Sequence, residues 1–151
     1  MSDTTFEQMH GYYLEDLAVG MSAVYTRTLT EERVKQFAEA SGDTNPLHLN
    51  EAFAAHTRFK KRIVHGMLTT SLWSTLVGTR LPGPGSAYMR QELKFIKPVH
   101  IGDTVTAKIT VTRIDHEKQQ AYLEGECFVA GTLVALGQGV VWVPRRESKG
   151  R

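Results

Sequence analysis

In the second half of the chain, hydrophobic and polar residues alternate nearly one for one. Over residues 86–98, Met89, Gln91, Leu93 and Phe95 fall opposite Tyr88, Arg90, Glu92 and Lys94. Over residues 104–115, Val105, Ala107, Ile109 and Val111 oppose Thr104, Thr106, Lys108 and Thr110. A period of two belongs to strands that bury one face and wet the other. The pattern continues through residues 120–130 and 133–143, after a polar turn at 116–120 and across a tight turn at Ala130-Gly131. Three long strands running as an antiparallel meander follow from that punctuation.

The first half keeps a different rhythm. Residues 22–30, rich in Thr, Val and Tyr, read as a first strand, and Thr30 then caps a helix whose opening Glu31-Glu32 complements the dipole. Val34, Phe37, Ala38 and Ser41 recur at steps of three and four, so one face of that helix meets a core until Gly42 stops it. Asn50 caps a short second helix over 51–56, with Phe53 and Ala54 turned inward. From Met67 to Val77 the run MLTTSLWSTLV is small or apolar on every side and carries no charge, which marks a buried helix. Leu81-Pro82-Gly83-Pro84-Gly85 ends it.

One uncharged helix and one large antiparallel sheet predict an α+β domain over residues 17–144, with the sheet curled about the helix. A curled single layer keeps an exposed edge and an incompletely covered helix, so self-association is expected. Residues 1–16 and 145–151 lack periodicity and are predicted to be flexible.

Composition narrows the class. The 151-residue chain is 41% hydrophobic and 23% charged, with a net charge of +2, ordinary for a folded domain and too weakly basic to point to nucleic acid. No stretch approaches the ~18 apolar residues of a spanning helix, and the N-terminus has no apolar signal region. Cys127, the single cysteine, stands inside an alternating strand and reads as a small buried hydrophobe, not a nucleophile. These features together predict a cytoplasmic protein with no membrane partner.

The chemistry concentrates in Asp43-Thr44-Asn45-Pro46-Leu47-His48. An imidazole and a carboxylate on a Pro-stiffened loop suit general acid and base work on one small molecule. Equally, Asp43 and Asn45 suit an Asx turn at a helix end, with His48 a surface histidine. A second candidate is His65-Gly66, immediately before the buried helix. Free N–H groups at such a helix start suit a developing oxyanion, and glycine admits close approach; a plain turn with His65 packed is the other reading. His48, His56 and His65 have no tight ligand spacing, so no metal site is expected.

Three segments now carry a resemblance. Phe37-Ala38-x-x-Ser41-Gly42-Asp43-x-Asn45-Pro46-Leu47-His48 with Phe53-Ala54, then Phe59-x-x-x-Ile63-Val64-His65-Gly66-Met67-Leu68, then Leu93-x-Phe95-x-x-Pro98-Val99-x-x-Gly102-Asp103, resemble the hydratase-2 signature of MaoC-like, R-specific enoyl-CoA hydratases. The likeness spans residues 17–143. It implies a hot-dog fold, a long central helix wrapped by an antiparallel sheet, assembled as a homodimer or a higher oligomer of dimers.

It also implies roles. Asp43 and His48 hold and activate the water added to a 2-enoyl thioester, Asn45 supports them, the Gly66 N–H binds the thioester oxygen, and Ser74 assists from the helix. Ser74 has an alternative in a bond to its own helix backbone. His65, Met67 and Val77 are candidates for substrate contact. Arg58, Lys60 and Arg62, with Lys61, are candidates for the CoA phosphates, although such a run also suits a solvated loop. No cofactor is implied, because CoA belongs to the substrate. A hot-dog thioesterase and a non-catalytic acyl-CoA-binding subunit are the rival readings. Thioesterases of this fold place a carboxylate on the central helix, and residues 65–80 contain none.

Overall fold

Strands β1 (Ser22–Thr28), β2 (Ala87–Phe95), β3 (Thr104–Asp115), β4 (Gln120–Val129) and β5 (Thr132–Trp142) make one sheet in the order β1-β3-β4-β5-β2. Every pairing is antiparallel. The structure, a computed structural model, describes residues 5–146. The central meander β3-β4-β5 is the one predicted from alternation, with Ala130 and Gly131 both at positive φ in its tight turn. Val105, Ala107, Ile109 and Val111 are buried on one face of β3.

Helix α1 spans Phe6–Met9, α2 Glu31–Ser41, α3 Pro46–Leu49, α4 Glu51–Ala55 and α5 Gly66–Thr79. The long uncharged α5 lies across the sheet and touches β1, β2, β3 and β4. Trp73 anchors it: the indole is 1% exposed and donates Nε1–H to the Glu126 carbonyl at 3.1 Å. Gly125 leaves room for that ring, since a Cβ there would stand 2.7 Å from it. Cys127 is fully buried beneath the helix, and burial pushes its thiol up to about 12. A thiol held in that form is packing material, as its place in the alternation implied.

Structure and expectation part in two places. Residues 5–16 are held in place: Tyr13 and Leu14 are buried, Gly11 and Tyr12 donate to the carbonyls of Pro84 and Pro82, and Leu14 donates to that of Pro144. Arg146 grips Asp16 through both carboxylate oxygens, at 3.0 Å each. The segment gave no periodic signal because it is held by scattered contacts to distant segments and not by one repeating face. Residues 1–4 and 147–151 lie outside the described residues.

Second, the inward stripes are narrower than predicted. Ser41 is exposed, bonding back to the Phe37 carbonyl, and Phe53 is 48% exposed, while Val34, Ala38 and Ala54 are buried. As a single curled layer implies, α5 is not covered all round: Met67 and Ser74 face outward.

Candidate active site

Local rules shape the loop after α2. Gly42 takes the left-handed conformation, φ 79°, which ends the helix and turns the chain at low steric cost. The Ser41 hydroxyl then accepts the Asp43 N–H, and Asp43 Oδ1 accepts the Asn45 N–H at 3.2 Å. Asn45 Oδ1 accepts the Leu47 N–H and caps α3, with Pro46 at its first position. The Asx-turn reading of this segment is therefore correct, and His48 is nonetheless buried, at 8% exposure.

Two backbone bonds orient the imidazoles. His48 Nδ1 lies 2.8 Å from the Ile63 carbonyl, and His65 Nε2 lies 3.0 Å from that of Asp43. A carbonyl only accepts, so these nitrogens carry the protons and His48 Nε2 and His65 Nδ1 carry lone pairs. The rings stand 4.0 Å apart, and Phe37 covers His65 from another side at 4.8 Å. Residue 64 is stitched to Val99 and residue 63 bridges His100, which fixes the approach of His65 to the loop.

Asp43, His48 and His65 thereby bring one polar atom each within 4.8 Å of one another. Asp43 stays exposed while both histidines are buried. Burial holds the His48 imidazole below its usual range; the Ile63 bond pulls the other way, His65 adds a lowering and Asp43 a raising influence. The group is a neutral base near pH 7.

Gly66 is the first residue of α5, and no hydrogen bond engages its N–H among the described residues. A Cβ at Gly66 would come 2.5 Å from the Phe95 ring. Beside it opens a cavity of about 270 Å³ lined by Arg58, Phe59, Gly66, Thr69, Phe95 and Val134 among others. Thr69 escaped notice in the sequence. Its hydroxyl is buried with no partner, whereas Thr70 and Thr79 close bonds to the preceding turn. The available signal was its spacing, three residues after Gly66 and so on the same helix face.

The remaining candidates scatter. Arg62 leaves the basic run for the interior: it donates Nε–H to the His48 carbonyl at 2.7 Å and forks onto Glu31 at 2.8 and 3.0 Å. It props up His48 and is committed away from any phosphate; its guanidinium also holds the Glu31 carboxyl below the usual range. Arg58 stacks on Phe59 at the cavity mouth, and Lys60 is exposed. Val77 is core. Met67 is 57% exposed, and exposed Ser74 sits two turns, roughly 12 Å, along α5 from Gly66.

No helix among the described residues is long and apolar enough to cross a membrane.

Known proteins resemble the chain over most of its length. The MaoC-like domain family matches residues 18–127. The (R)-specific enoyl-CoA hydratase of Rhodospirillum rubrum is 49% identical over 135 residues, 89% of this chain and 94% of that protein. The 3-hydroxybutyryl-CoA dehydratase of Methylorubrum extorquens is 44% identical over 135 residues, 89% of this chain and 86% of that protein. Among solved structures, the (R)-hydratase of Aeromonas caviae superposes with a TM-score of 0.82 at 45% identity, covering 86% of this chain and 99% of that one. That likeness carries the hot-dog fold with it.

Proposed function

The chain belongs to the MaoC-like family, and from that membership we propose that it is an R-specific enoyl-CoA hydratase. It adds water reversibly and syn across a trans-2-enoyl-CoA, giving the (R)-3-hydroxyacyl-CoA. The observation that carries the reading is the meeting of a carboxylate and an imidazole lone pair, beside a helix start with a free N–H.

The geometry supports a mechanism in which a water lies between the Asp43 carboxylate and His48 Nε2. Ile63 fixes the tautomer, so the lone pair faces the water. As the water oxygen bonds to C3, its proton passes to the Asp43/His48 pair, and one proton from the pair goes to C2. Delivery of that proton to C2 restores the pair. Both groups reach the water, so neither is assigned one proton alone. Charge building on the thioester oxygen meets the Gly66 N–H and the positive end of α5, an effect worth about 3–4 kcal/mol per donor. Asn45 holds the turn that aims Asp43. No cofactor enters this scheme.

The same reading extends to assembly. Strand β2 lies at the sheet edge, where Met89, Phe95 and the following Ile96 are exposed, and Met67 and Ser74 face outward from α5. A second copy covering them makes a homodimer, and the contribution of Ser74 belongs to that assembled face. We place the protein in the cytoplasm, in keeping with its single buried thiol.

Crotonyl-CoA tests the activity. The expected result is loss of enoyl absorbance with the (R)-3-hydroxy product on chiral analysis. Free thiol without hydration means a thioesterase, and no change at all means a binding subunit.

A further inference from the structure

The cluster of Asp43, His48 and His65 has the organisation of a metal site. Each imidazole commits its N–H to a main-chain carbonyl, His48 to Ile63 and His65 to Asp43, leaving a bare nitrogen on the opposite edge. Metal-ligating histidines are held in this manner, because the second bond fixes both tautomer and ring direction. His65 is 2% exposed, and its Nδ1 has no hydrogen-bond partner. Buried polar atoms without partners are uncommon, and each calls for an explanation such as an ion or water. Asp43 adds a carboxylate of which only Oδ1 is engaged, by the Asn45 N–H.

We propose that Asp43, His48 and His65 form a binding site for Zn²⁺. Two histidines and one carboxylate, with a fourth position left for water, are a ligand set zinc accepts. Zinc bonds of about 2.1 Å put tetrahedral ligands roughly 3.4 Å apart. The three groups span up to 4.8 Å, so closure needs a modest swing. The exposed Asp43 side chain is the one free to make it.

The consequence rests on the hydratase reading: Zn²⁺ on His48 Nε2 and Asp43 takes the lone pairs that hold the attacking water. The ion therefore inhibits hydration, and substrate and ion exclude one another. Folding creates this property, since α3 and the start of α5 supply the two imidazoles from distant stretches of chain.

The full chain, freed of metal with EDTA and dialysed, is titrated with ZnCl₂ by calorimetry and with CoCl₂ by visible absorption. One ion per chain is expected, with the intense visible bands of four-coordinate cobalt. His65→Gln and Asp43→Asn each weaken Zn²⁺ binding at least tenfold, while His100→Gln leaves it unchanged. Circular dichroism checks folding; where His65→Gln fails to fold, His48→Gln is read in its place. Crotonyl-CoA raises the apparent Zn²⁺ dissociation constant, and EDTA restores hydration. Binding that is absent, or unaltered in all the cluster variants, overturns the site. Binding at the cluster in a protein that hydrates no enoyl-CoA upholds the site and overturns the hydratase reading instead; hydration by a protein that binds no Zn²⁺ does the reverse.

Discussion

His48 is chemically useful because burial and a backbone carbonyl settle its state before any substrate arrives. Its imidazolium is disfavoured by desolvation, so its pKa lies below the ordinary value of 6.5. In acid below that value the unfolded chain takes up a proton that the folded protein resists, and stability declines as pH falls from 6.5 through the folded pKa. In the proposed mechanism activity moves in the same sense, because the step uses the neutral imidazole. The acidic limb of kcat/KM is expected below pH 6.5, and a profile limb at or above 6.5 removes His48 from that role. Asp43→Asn and His48→Gln each cost about 10²–10⁴-fold in kcat, the usual worth of a positioned acid or base. Turnover of crotonyl-CoA by variants that keep the wild-type circular dichroism measures this.

Helix ends organise the site at the next scale. Thr30 starts α2 by accepting the Arg33 N–H, Gly42 ends it, and Asn45 and Asn50 open the two short helices that carry His48 onward. Thr30→Ala removes a cap and is expected to cost about 1 kcal/mol in denaturant unfolding without changing the acidic limb. At the start of α5, Gly66→Ala forces a methyl group against the Phe95 ring. Either the ring or the helix start must shift, moving the free N–H off the oxyanion, and kcat should drop about 10²–10³-fold. Adding Phe95→Ala relieves the clash and should recover part of that loss. An unimproved double variant means the defect is not this contact.

Across the whole molecule, one layer of sheet cannot finish the enclosure of its helix. Edge strand β2 and the outward side of α5 leave Met67, Met89, Phe95 and Ile96 exposed in a single chain. The protein is expected to elute with a light-scattering mass twice that of the 16.9 kDa chain. A charge at Met89, in Met89→Glu, should shift that mass toward one chain. A wild-type monomer at every concentration rules out the dimer.

Period-two strands, the caps of α2 and α4, and the stop at Gly42 were legible in the sequence because each depends on residues within about four positions. The uncharged run of α5 likewise marked a helix against a sheet, and the signature segments pointed to the MaoC-like family. Only the tertiary structure brought His65 onto His48, drew Arg62 inside to Glu31, and tied residues 5–16 to the distal end of the chain. Nor did an all-apolar helix pattern reveal that Ser74 and Met67 face outward. Periodicity reports that a face is apolar, but the neighbour of that face is set by the path of the whole chain. Contacts between distant segments form only once that path closes, and the cluster at Asp43 is built from such contacts.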